Sequence, residues 1–322
     1  MTPAPEAVRP LRVPTFLHQR LELAATQMLQ PPGAPAIDFA APREEPALVP
    51  PDSVSWRVFR NPLAVFIGGV AAVLLELAEP RVRAGVWDHT NFRTAPRQRL
   101  QRTGLAAMVT VYGARSVAEK MIGGVTRLHG RVRGHTPEGV PYAASDPELL
   151  TWVHATAAFG FVTAYSRYVR PLAVAEFDRY YSEGEEVAAL YGARAPLSAA
   201  EVDALFARTR PTLQPSPVVN EFLSIMMHTP VLPGLARPLQ RLLVRAAVDL
   251  TPVWLRERLQ LGQRSGLGVV GRELVPRLGA LAERLLLRNS PAAQACVRLG
   301  LAEDYLLSSR GIFRHPVEKQ SD

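Results

Sequence analysis

One cysteine, Cys296, in 322 residues leaves no internal disulfide framework and no cysteine-built zinc site. A reducing compartment fits that usage. Lysine is nearly missing as well: Lys120 and Lys319 are the only two, so a net charge of +8 is carried by arginine. The aromatics, 7% of the chain, do not interleave with the arginines in a sheet-like pattern, and no nucleic-acid motif occurs, so nucleic acid is not expected as a partner. No apolar run is comfortably long enough to span a membrane. The longest, PLAVFIGGVAAVLLELA at 62–78, carries Glu76 near its end with Glu79 just beyond, and reads as a buried core helix. No integral membrane segment is expected, while weak contact with a membrane surface stays open. The first residues, MTPAPEAVRPLRVP, contain neither an apolar core of signal-peptide length nor a twin arginine, so the expected location is cytoplasmic.

What is present is helical patterning. Hydrophobic residues make up 48% and charged residues 20%, which suits a globular domain rather than a polytopic membrane protein. Apolar residues recur at three and four, not at two. Residues 29–55 are rich in proline and read as an irregular arm wrapping the domain. A helix over about 96–112 starts with Thr94 as a candidate cap and Pro96 in its first turn, and stops at Gly113. Arg99, Arg102 and Thr103 share one of its faces. The next helix, about 115–133, carries a stripe of Val117, Met121, Val125, Leu128 and Val132, which His129 borders. The loop GHTPEGVPYAASDPELL leaves room for a short hairpin before another helix, started either by a Ser145/Glu148 capping box or by Asp146 before Pro147. That helix carries His154 on a face with Leu150, Ala157, Ala158 and Phe161. Further helices are expected around 173–191, 198–208, 216–227, 236–250, 252–261, 272–288 and 291–308. GLGVVG at 266–271 has dinucleotide-fingerprint spacing, but no strand precedes it and no acidic residue follows at the required distance. It reads as a connecting loop.

A histidine on an apolar helix face is ordinarily a hydrogen-bonded core residue. His129 and His154 stand out because they lie on consecutive helices, with arginine and threonine on the helix before. A haem uses that combination: a neutral imidazole for iron, an apolar slot for the macrocycle, cations for the propionates and a polar group beside bound oxygen. Gly123, Gly124, Gly130, Ala157 and Ala158 would let a flat ring approach, although small residues also serve ordinary helix packing.

In order and spacing, NPLAVFIGG, RLQRTG, VYG, RLHGRVRG, YAASDPELLTWVHAT and VWLRE, from about Asn61 to residue 259, resemble the oxygenase family of MpaB and the catalytic domain of latex clearing protein. The resemblance implies an all-helical, globin-related fold, haem b, and oxidation or cleavage of isoprenoid double bonds with dioxygen. It implies His129 as the iron ligand and Arg99 and Thr103 as distal residues. Where latex clearing protein has a lysine before the threonine, this chain has Arg102, a very poor iron ligand, so the distal site must differ. Asp146 is better explained as a helix cap. His154 belongs to the MpaB-like branch, and its role stays open among a sixth ligand, a distal acid and a structural residue bonding a backbone carbonyl. The rubber oxygenases' export signal is missing, which argues against polymeric rubber as substrate.

The expected protein is all-α: a Pro-rich N-terminal arm over 1–55, one multi-helix haem-binding domain over 56–310 and a C-terminal tail over 311–322. Its expected activity is haem b-dependent oxidation of an apolar, isoprenoid- or lipid-like small molecule by dioxygen. His129 holds iron, with Arg99, Arg102, Thr103 and His154 as catalytic candidates. The alternative is a non-catalytic carrier of haem or an apolar ligand.

Overall fold

The structure is a computed structural model that describes residues 9–11, 13–33, 35–231, 236–262 and 265–308. It is predominantly helical, and the strands found among these residues form one two-stranded hairpin. The tail expected over 311–322 lies outside the described residues.

Helix starts follow local chemistry. Ser53 accepts from the Trp56 amide at 3.0 Å to open α2 (Val54–Arg60). Asn61 closes that helix and opens α3 (Pro62–Glu76), its Oδ1 accepting from the Leu63 and Ala64 amides at 3.1 Å. The chain bends by 97° there. α3 is the expected core helix, and no single helix among the described residues is long and apolar enough to cross a membrane. Glu79 caps α4 (Pro80–His89) through the Val82 amide at 2.9 Å.

α5 (Pro96–Tyr112) has the expected bounds, but its cap differs. Ala95 holds the cap position without a side-chain bond, and the Thr94 hydroxyl turns back to the Asn91 carbonyl at 3.4 Å. α6 (Arg115–His129) ends four residues before the expected 133. Gly130 stops it, and Arg133–His135 (β1) pairs antiparallel with Pro141–Ala143 (β2) around Gly139 at φ 81°. α7 (Pro147–Tyr168) is capped by Asp146, which accepts from the Glu148 amide at 2.8 Å, so the Asp-Pro start prevails over the Ser145 box.

α3 and α7 run antiparallel through the core and touch closely where they cross. A Cβ on Gly68 would sit 2.7 Å from the Phe161 Cα. Around this pair lie α8 (Val174–Glu183), α9 (Glu185–Tyr191), α10 (Ala199–Thr209), α11 (Pro217–His228), α12 (Arg237–Leu250), α13 (Val253–Arg258), α14 (Val269–Ala282) and α15 (Pro291–Arg298). The last helix is shorter than the expected 291–308. GLGVVG is a loop only to Gly268, and its last three residues already begin α14.

The first 55 residues are not wholly irregular. α1 (Thr15–Met28) packs through buried Glu22, whose carboxylate accepts from the Arg288 and Asn289 amides. The proline-rich stretch after it is docked. Buried Arg298 donates to the Phe39 and Glu45 carbonyls at 2.8 and 2.9 Å, and Phe39, Leu48 and Val49 enter the core.

Candidate functional site

α3 buries most of its surface, yet Phe66, Gly69, Val73 and Glu76, one helical stripe, stay half-buried. The same is true of Val153, His154, Ala157, Ala158 and Phe161 on α7, of Arg99, Ala106, Ala107 and Thr110 on α5, and of Met121, Gly124, Val125 and His129 on α6. Among these groups, Glu76, Arg99, His129 and His154 combine partial accessibility with pKa values displaced by desolvation. That pairing sets these four side chains apart both from the core, which lacks the access, and from the surface, which lacks the displacement. The other residues of these helix faces are mostly apolar.

Three of those groups form a charged pole from three helices. Burial raises the Glu76 carboxyl to about 7, although Arg99 opposes the rise. Arg99 is itself pushed down by burial and by Arg102, with Glu76 acting in the other direction. Burial and then the Arg99 charge lower His129, which is therefore a neutral imidazole at neutral pH. Among the described residues its Nδ1 is enclosed without a partner and its Nε2 makes no hydrogen bond, in a side chain that is half-buried. A neutral ring with an unpartnered nitrogen has the chemistry to hold iron.

Arg99 and Thr103 lie one turn apart and are bonded to each other. The guanidinium donates to the Thr103 hydroxyl, which donates to the Arg99 carbonyl at 3.0 Å. Thr103 is exposed and holds Arg99 in place. Arg102 is exposed too and makes no hydrogen bond or ion pair among the described residues; its charge reaches Arg99.

His154 stands apart from this pole. Its pKa is pushed down to about 4 by burial alone, with no charged group contributing. Its ring lies against Gly184, where a Cβ would be 3.1 Å from Nε2. No backbone carbonyl accepts from it among the described residues. The structure thus brings Arg99 to Thr103 and within electrostatic reach of His129, and packs His154 against Gly184.

Glu76 was the residue missed by sequence reasoning, which used it only as the polar end of an apolar run. No local signal ties it to Arg99; the helix crossing does. Cys296 is buried, with its thiol pushed up to about 12, and offers no nucleophile. Two surface depressions, one bordered by Arg60, Pro62 and Leu285 and one by Pro46, Pro50 and Leu301, contain none of the site residues.

The family model for the catalytic domain of ER-bound oxygenase mpaB/B' and rubber oxygenase matches residues 56–280. No curated protein and no solved structure matches the chain significantly. The matched span runs from α2 into α14 and includes α3, α5, α6 and α7.

Proposed function

The chain belongs to the mpaB/rubber oxygenase catalytic-domain family, and from that footing we propose that it is a haem b-dependent oxygenase acting with dioxygen on an apolar, isoprenoid- or lipid-like molecule. The observation that carries this reading is the neutral His129, whose ring nitrogens have no partner among the described residues, within electrostatic reach of Arg99, which in turn faces Glu76. His129 would hold the iron through Nε2. Bound haem would supply the activation of dioxygen, which none of the twenty side chains provides.

The chain's own residues do the rest. Arg99 and Arg102 would put fixed positive charge where the reaction builds negative charge, and the burial of Arg99 strengthens its effect. Thr103 keeps the Arg99 guanidinium from swinging away. Glu76, half-protonated near neutral pH, can take a proton at its carboxylate and return it. Phe66, Val73 and Phe161 give an apolar chain somewhere to leave water. Arg102 would supply no lone pair to iron, so the site differs from one built around a lysine.

The test is incorporation of ¹⁸O from labelled dioxygen into an isoprenoid probe such as squalene by haem-loaded protein. Arg99→Ala should keep haem and slow labelling about a hundredfold, the usual cost of one charge-stabilising donor. Haem binding with no labelling would indicate a carrier. Loss of haem in Arg99→Ala, with an unchanged rate per bound haem, would make Arg99 a propionate partner.

A further inference from the structure

Residues 236–288 hold ten arginines against four carboxylates, a surplus of six of the chain's eight net positive charges in about a sixth of its length. The imbalance at the surface is greater. Asp249 is buried, taking Arg167 at 3.1 Å, Arg256 at 3.4 Å and Arg272 at 3.8 Å, and Glu283 is held inside by Arg60, Asn61 and Tyr165. On α12, Arg237, Arg241 and Arg245 recur every four residues, all exposed, with no ion pair or hydrogen bond among the described residues. An α-helix places such a series on one side.

α14 packs beside α12; a Cβ on Gly271 would lie 3.1 Å from Leu242 Cδ1. Its outer face presents Val269 at 83% exposure, Val270 at 77% and Leu274 at 41%, interleaved with exposed Arg272 and Arg277. Glu273 is exposed on the same face and pairs with Arg277 at 3.7 Å, so the charge of this patch comes mainly from α12. Aliphatic side chains this exposed, side by side and next to a row of arginines, are unusual on a surface facing only water.

We propose that the α12–α14 face docks peripherally on an anionic lipid bilayer. The free arginines of α12 meet headgroup phosphates, and Val269, Val270 and Leu274 enter the acyl boundary. Charge complementarity selects an anionic surface, and the aliphatic residues select a bilayer over a nucleic acid, which would leave them in water and would call for aromatic stacking partners. The proposal stands independently of the oxygenase reading.

The test is co-sedimentation of the full chain with vesicles of phosphatidylcholine alone or with about a third phosphatidylglycerol, a composition that makes the surface strongly anionic. Binding should require phosphatidylglycerol and weaken as salt shortens the screening length. Arg241→Glu with Arg245→Glu should weaken it roughly thirtyfold, taking the usual contribution of a basic residue at such a surface. The same charge change at exposed Arg194 and Arg208 should do much less. Val269→Ser with Val270→Ser, which leaves charge unaltered, should also weaken binding several-fold. Equal losses from the two arginine pairs, indifference to the valine change, tighter binding to duplex DNA than to vesicles, or no vesicle binding would each overturn the proposal.

Discussion

The two ends of α3 are built to opposite rules. At its start most polar groups in the cluster are answered: Asn61 caps the helix and donates to the Gly279 carbonyl at 3.1 Å and to Glu283 at 2.9 Å, and Glu283 also receives Tyr165 at 2.8 Å and Arg60, whose Nε alone among these groups finds no partner among the described residues. At its finish Glu76 makes no side-chain hydrogen bond among the described residues, His129 Nδ1 has no partner, and Arg99 is enclosed beside them. Similar residue types thus serve two purposes. Mutual satisfaction fixes the fold at one end, and unsatisfied, desolvated groups keep chemical capacity at the other.

The largest blow to the closed end should come from Gly279→Ala. Its Cβ would overlap the Tyr168 carbonyl oxygen, backbone that cannot yield cheaply. We expect a loss of about 3 kcal/mol or more in urea unfolding. A near-neutral result would show that this end is looser than its contacts imply.

Glu76→Gln should act in the reverse sense. The folded pKa, about 7, lies above the ordinary 4.5, so the folded chain binds more protons in that window and wild-type stability falls as pH rises through it. The variant escapes that loss. It should be no more stable than wild type near pH 4 and more stable at pH 8, by at most about 3 kcal/mol. Lower stability at pH 8 would mean that Glu76 is satisfied after all.

His154 gives the mirror image. Its folded pKa of about 4 lies below the ordinary 6.5, so its contribution is whole above pH 6.5 and is lost as pH falls towards 4. His154→Gln should reduce the difference in melting temperature between pH 7 and pH 5, an effect bounded at about 3 kcal/mol. In haem-loaded protein, the smallest change is expected from His154→Ala. It should leave the iron spin state as it was, because His154 packs against Gly184 away from the charged pole. A low-spin to high-spin conversion would instead identify it as a ligand.

Much of this was legible in the sequence, for physical reasons. Pro96 and Gly113 constrain the backbone directly, so α5 could be placed to the residue, while the start of α7 was signalled by two competing caps, Ser145 and Asp146, between which only the fold decides. The overshoot on α6 came from Val132, which continues the apolar period, while Gly130 ends the helix and the chain turns into the hairpin. Arg99 and Thr103 were paired correctly because residues four apart on a helix are neighbours. Glu76 was invisible because its partners lie on other helices, and its desolvation exists only once α3 and α7 have crossed. Periodicity could place His154 on a helix face. It could not say which neighbour that face meets.

The central claim is that His129 is the residue through which this chain holds haem iron. The direct measurement is the Soret absorbance per mole of protein after haem loading and gel filtration, compared for wild type, His129→Ala and His135→Ala. Wild type and His135→Ala should retain equal Soret intensity, because His135 lies on the exposed hairpin, and His129→Ala should lose nearly all of it. Equal retention in all three would contradict the assignment.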